Sequence, residues 1–188
     1  MHSWQQPQSI TAKQFTCGFC GRNVASDKGY TTTNAPQAFL CICPNCRKPS
    51  FFLDRDNVQV PGVVPGNEVR AVPENVNALY REARRCVSVG ASTAAVLACR
   101  KLLMSIAVAE GAKAGETFVS YVSYLAEKGY VPPNGRGWVD HIRNKGNEAN
   151  HEIQLMTIDD ADELILFSEM LLKFIYEFPS RVPAGSNE

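Results

Sequence analysis

Four cysteines are the residues best spaced for chemistry. Cys17-Gly-Phe-Cys20-Gly21 and Cys43-Pro-Asn-Cys46 are two Cys-x-x-Cys elements with 22 residues between them. Such a turn aims two thiolates at one point, and two turns complete a tetrahedron around an ion roughly 2.3 Å from each sulfur. Gly18, Gly21 and Pro44-Asn45 supply turn chemistry at both places. The paired spacing predicts a structural zinc held by Cys17, Cys20, Cys43 and Cys46. A closed set of four thiolates leaves no open position for catalysis at the metal. A redox or free-thiol role suits a single Cys-x-x-Cys better than a pair. Cys41 stands two residues before Cys43 and shares its face on a strand; it is either a spare ligand or a core residue, and the core role is expected. Cys86 and Cys99 lie on apolar helical stretches, where a free cysteine simply packs. Arg22, Lys28, Arg47 and Lys48 flank the two turns. They are either phosphate contacts or ordinary solvated charge.

A second group lies in Asp140-His-Ile-Arg143-Asn144-Lys-Gly-Asn147-Glu-Ala-Asn150-His151-Glu. At about 100° per residue on a helix, Arg143, Asn147 and His151 form one stripe with Asn150 beside it. A core-facing stripe is normally apolar. A guanidinium binds phosphate oxygens in a fork and offsets the charge that develops on a phosphorane. An imidazole moves a proton near neutral pH. Attack of an RNA 2′-hydroxyl on its own phosphate needs those two services and no metal. Asn147 would orient the imidazole or hold a phosphate oxygen. The blander reading is that Asn and His bond to backbone or to neighbouring helices, with Gly146 letting a helix come close.

The elements that must carry these groups divide the chain. Residues 1–14 are expected to be a flexible arm. Residues 15–60 hold short apolar runs, FTC, AFLCIC and SFFLD, between turns. A domain of that size usually needs a staple such as a metal, so a zinc-ribbon β module is expected. Residues 61–72 read as a linker, with two Pro-Gly-type breaks and no periodicity. Helical signals fill 73–179: about Pro73–Val89, Ser92–Glu110, Glu116–Lys128, Gly137–Glu152, and Asp159 to just before Pro179. Val76, Leu79, Tyr80, Ala83 and Val87 mark the core stripe of the first. Thr157 and Asp160 are placed to cap the last. That last helix is apolar almost all round, with Leu164, Phe167, Leu171, Phe174 and Phe178 in one stripe. Such a helix is either the wrapped centre of a protomer or half of a two-fold interface. Residues 180–188 are expected to be a flexible tail.

Composition sets outer limits. The 188 residues are 45% apolar and 20% charged with a formal net charge of zero, an ordinary globular balance. Residues 1–60 carry six Lys/Arg against three Asp/Glu, and the remainder carries thirteen against sixteen. A strong nonspecific nucleic-acid binder would be far more basic. The opening MHSWQQPQSITAKQF lacks the apolar core of a secretory signal, and no apolar run reaches the roughly 18–20 residues of a membrane span. No membrane association and a cytoplasmic location are expected.

Three stretches resemble the domain of unknown function 4145 family. The run Arg143-x-x-Gly146-Asn147-x-x-x-His151 looks like its R-x-x-GN-x-x-x-H signature. Leu79-Tyr80-Arg-Glu-Ala83 and Ser92-Thr-Ala-Ala95-Val-Leu-Ala-Cys-Arg100-Lys-Leu-Leu103 are similar to its first two helices. An N-terminal zinc ribbon is common in that family, and the resemblance covers about residues 15–178. The family in turn resembles the HEPN superfamily of helical, usually dimeric domains, many of them metal-independent RNases of defence systems. The resemblance implies a zinc ribbon followed by an all-α HEPN-like bundle, a homodimer, and a defence or phage-conflict context. It implies RNA or other nucleic-acid binding, with Arg143, His151 and Asn147 carrying any endoribonuclease chemistry and Asn144, Asn150, Arg22, Arg47 and Lys48 contacting the strand. Arg143-Asn144 fits the start of the HEPN motif, while the gap to His151 is longer than the superfamily's. Some HEPN domains are inactive, so the alternative is a non-catalytic adaptor that binds a protein partner of a defence system.

Overall fold

The computed structural model describes residues 4–33, 37–53, 58–131, 137–142 and 155–182. Contacts divide the chain into two compact units, Met1–Val64 with Ser88–Gly90, and Pro65–Val87 with Ala91–Glu188.

The first unit is a β meander. Strands β1 (Gln8–Thr16), β2 (Asn23–Thr31), β3 (Ala38–Ile42), β4 (Pro49–Leu53) and β5 (Val58–Val60) form one sheet in chain order. Every neighbouring pair is antiparallel. The runs AFLCI and SFFL make β3 and β4, as their aromatic and aliphatic content predicts. On β4 Ser50 and Phe52 are buried while Phe51 between them is exposed, the period-2 signature of a sheet with one covered face. Residues 8–14, expected within a flexible arm, instead form most of β1. That strand is mostly polar and buries only Ile10 and Phe15. Those two lie an odd number of residues apart and would point to opposite faces of a regular strand. The register shift between Ser9 and Lys13 inserts the irregularity that lets both face inward. β2 is also polar, and it approaches β3 very closely: a Cβ at Gly29 would lie 1.9 Å from the Leu40 carbonyl oxygen. The core is small, consisting of Ile10, Phe15, Cys17, Cys41, Cys43 and Phe52. Phe15 and Phe52 meet edge-on at 5.0 Å, and the Lys13 ammonium sits 4.9 Å above the Phe52 ring.

The second unit is helical. Its elements are α1 (Glu74–Ser88), α2 (Ser92–Ala109), α3 (Phe118–Glu127), α4 (described over 137–142) and α5 (Ile158–Leu172). A π-helical turn, Lys173–Glu177, and a short α6, Phe178–Ser180, continue from α5. Val76, Tyr80, Ala83 and Val87 of α1 face the core, on the stripe their spacing predicts. The α5 cap is a capping box: Thr157 accepts from the Asp160 backbone N–H and the Asp160 carboxylate accepts from the Thr157 N–H. Leu164, Phe167 and Leu171 of α5 are buried, as are Ile165 and Leu172 beside them. Among the described residues one helix, α2, is long and apolar enough to cross a membrane. Eight of its eighteen side chains are buried in the helical unit.

Residues 65–70, part of the expected linker, are bonded into this unit. The Asn67 backbone N–H and Nδ2 donate to Glu169 at 2.8 and 3.0 Å. Tyr80 Oη donates to the Asn67 carbonyl at 3.1 Å. Arg84 donates to the Pro65 and Gly66 carbonyls and to Glu68. Burial raises the Glu169 carboxyl, but Lys173 and Asn67 outweigh it and hold the group below its usual range. The apolar periodicity that marks helices is blind to this polar clasp.

Candidate metal centre

Each Cys-x-x-Cys element is the connection of a hairpin. Cys17 follows β1 and its loop leads into β2; Cys43 follows β3 and its loop leads into β4. The two loops have one build. The Gly21 and Arg47 N–H groups donate to the Cys17 and Cys43 carbonyls at 2.8 and 2.9 Å. The Cys17 and Cys43 N–H groups donate to the Arg22 and Lys48 carbonyls at 2.9 and 3.0 Å. Each loop turns through one left-handed residue, Gly21 at φ 66° and Arg47 at φ 61°. Glycine meets that conformation without a Cβ clash; arginine does not. The Cys46 N–H also points at Cys43 Sγ, 3.5 Å away.

These loops bring four sulfurs together. Cys17 Sγ lies 3.7 Å from Cys46 Sγ, and Cys20 Sγ lies 3.8 Å from Cys43 Sγ. All four sit within 4.8 Å of one another, so the cluster could hold a metal ion. A tetrahedron of sulfurs about 2.3 Å from a central ion has edges of about 3.8 Å. The two short separations match that edge, and the donor set is all thiolate, so the residues fit a tetrahedral ion. Burial pushes the Cys17 thiol up. It pushes Cys46 up to about 12, with the neighbouring cysteines adding to the shift. At Cys20 burial is outweighed by the Arg22 N–H and the Asn45 side chain, leaving the thiol at about 7. An ion at the centre would displace the protons of all four, so acid opposes its binding.

Cys41 takes the core role expected of it. It is fully buried on β3, facing Gly29 and Ser50 across its neighbours, and is not one of the four clustered sulfurs. Cys99 is buried in the helical unit, and Cys86 packs against the same core.

The charged residues picked from sequence lie around the loops. Arg22, Lys28, Arg47 and Lys48 are all exposed. Among the described residues none of the four forms an ion pair. Phe19, at the tip of the first loop, is 47% exposed, and the Lys48 ammonium lies 4.9 Å above its ring. Two further residues carry no signal in sequence. Trp4 sits in the expected arm, yet its Nε1 donates to the Arg47 carbonyl at 2.8 Å. Asp27 joins it in lining a cleft with Lys28 and Arg47.

Arg143, Asn144, Asn147, Asn150 and His151 lie outside the described residues. Just before them, α4 buries Val139 and Ile142, stacks Trp138 edge-on against Phe167 at 5.1 Å, and pairs His141 Nε2 with Glu163 at 2.6 Å.

The model of one family, described as a domain of unknown function (DUF4145), matches residues 81–187. No curated protein and no solved structure matches the chain.

Proposed function

The chain belongs to the DUF4145 family, and from that premise and its cysteine cluster we propose that it is an RNA-binding protein built on a zinc ribbon. Cys17, Cys20, Cys43 and Cys46 would hold one zinc in a structural role, fixing the two loops against each other. The observation that carries RNA binding is the rim of those loops. Arg22, Arg47 and Lys48 are exposed with no carboxylate partner among the described residues, beside the exposed ring of Phe19. Cations that track a backbone together with an aromatic face suit a single strand.

The helical domain is read as HEPN-like and dimeric, in a defence setting. Arg143, His151 and Asn147 are its endoribonuclease candidates, with Asn144 and Asn150 beside them. The Arg143–Gly146–Asn147–His151 signature supports this reading. Exposed apolar side chains support a partner for the helical unit: Leu166, Phe174 and Phe178 are 56%, 41% and 45% exposed. A second copy is the commonest partner for such a face, and a protein of a defence system is the alternative.

Two measurements test this. Anisotropy of a labelled single-stranded RNA should show binding with a salt dependence that weakens in Arg22→Ala/Arg47→Ala/Lys48→Ala, by about 2 in log–log slope for three lost phosphate contacts. An unchanged slope would remove the loop rim from the interface. Incubation of the zinc-loaded chain with total RNA, with no divalent metal added, should yield 2′,3′-cyclic phosphate ends, lost in Arg143→Ala and His151→Ala. Binding without cleavage would leave a non-catalytic RNA-binding protein, and neither binding nor cleavage would favour the adaptor that takes a protein partner.

A further inference from the structure

We propose that a cleft beside the second cysteine loop receives one unpaired base of the bound strand, with guanine as its preferred occupant; this rests on the RNA reading above. The cleft holds about 400 Å³, within the range of small-molecule sites, about 300–1,000 Å³. Trp4, Asp27, Lys28, Pro44 and Arg47 line it, together with buried Cys43.

The chemistry of these walls is specific. The indole of Trp4 is pinned by its edge, because Nε1 already donates to the Arg47 carbonyl. Its face is the part left to offer, and a face is what a base stacks on. The Asp27 side chain, on an exposed residue, makes no hydrogen bond or ion pair among the described residues. An ionised carboxylate only accepts, and its two oxygens match two parallel N–H donors. Guanine offers that pair at N1 and N2. Uracil offers one N–H between two carbonyls, which a carboxylate repels. Lys28 and Arg47 are exposed cations at the same cleft. They suit phosphates on either side of the base.

Charge decides against a peptide. An acidic segment would meet Asp27 on the way to the cations, and a basic one would meet Lys28 and Arg47. A flat ring with a donor edge, carried on an anionic chain, satisfies every group at once.

The test uses the full chain with its metal. Tryptophan emission is titrated with a guanosine-containing single-stranded oligoribonucleotide and with an all-uridine strand of equal length. Binding is followed in parallel by anisotropy, and metal content is checked for each variant. The guanosine strand should quench emission and bind about tenfold tighter than the uridine strand. Trp4→Phe should remove the quench, because Trp138 is packed on Phe167. Trp4→Ala should weaken binding about tenfold, the scale of one lost stacking contact. Asp27→Asn should erase the preference between strands while keeping its metal, which separates base reading from folding. Equal binding of both strands without quenching, unaffected by Asp27→Asn, would overturn the cleft and leave RNA binding standing. Failure of both strands to bind would overturn the cleft and the RNA reading together. Quenching by a peptide but not by RNA would also overturn the cleft.

Discussion

The two units of this chain reach a fold by different means. Among the described residues the helical unit buries a core of 26 side chains, nearly all aliphatic or aromatic. Among the described residues the β unit's core cluster holds six, three of them Cys17, Cys41 and Cys43, and Ile42 is the one other buried apolar side chain there. A core that small cannot offset the entropy of ordering a five-stranded meander. The four-sulfur cluster joins the β1–β2 connection to the β3–β4 connection, with Cys17 and Cys43 inside that small core and Cys20 and Cys46 packed against it. One unit is therefore held by packing, and the other by whatever ties those loops.

Removing the tie should have the largest effect. A structural zinc contributes about 10–16 kcal/mol to the folding of small zinc modules. Chelation, or Cys17→Ser with Cys46→Ser, should unfold the β unit while the helical circular-dichroism signal persists. A single transition lost all at once would show that the two units are not separate. The reciprocal break is Phe167→Ala. Phe167 is fully buried and stacks on Trp138, so its loss should cost about 3–5 kcal/mol in the helical transition. Metal content should stay unchanged.

A smaller effect is expected at Glu169. Its folded pKa lies below the usual value, so the group adds stability above its unfolded pKa of about 4.3. That contribution is lost as pH falls through the depressed folded pKa. Glu169→Gln should cost about 1–3 kcal/mol near neutrality, the penalty of a broken buried charge-assisted bond. The variant should also flatten the acid limb of helical melting. An unchanged acid limb would place the pH dependence elsewhere.

The smallest effects compare the two loops with each other. Gly21 and Arg47 hold equivalent left-handed positions. Gly21→Ala should destabilise the β unit by about 1–2 kcal/mol, and Arg47→Gly should stabilise it by about 1 kcal/mol. Equal responses of the same sign would break the equivalence of the loops.

These same features explain how much was legible in sequence. The cluster was readable because paired Cys-x-x-Cys spacing has few other meanings. The apolar stripe of α1 and the Thr157–Asp160 cap of α5 were readable because helix periodicity and capping are local. β1 and β2 were not. QSITAKQFT and NVASDKGYT are mostly polar, and it is their antiparallel pairing with each other and with β3 that makes them strands. Trp4 and Asp27 were equally silent, since each matters only through residues brought to it by the sheet. The polar clasp of residues 65–70 rests on Glu169, about a hundred positions away in the chain.

The central claim is that the four cysteines hold a zinc on which the β unit depends, and metal analysis of the purified full chain tests it most directly. The account predicts about one zinc per chain in the native protein and in Cys41→Ala. It predicts none in Cys17→Ser/Cys46→Ser. Full retention of zinc by that double variant, or a native chain that is folded in its β unit without metal, would contradict it.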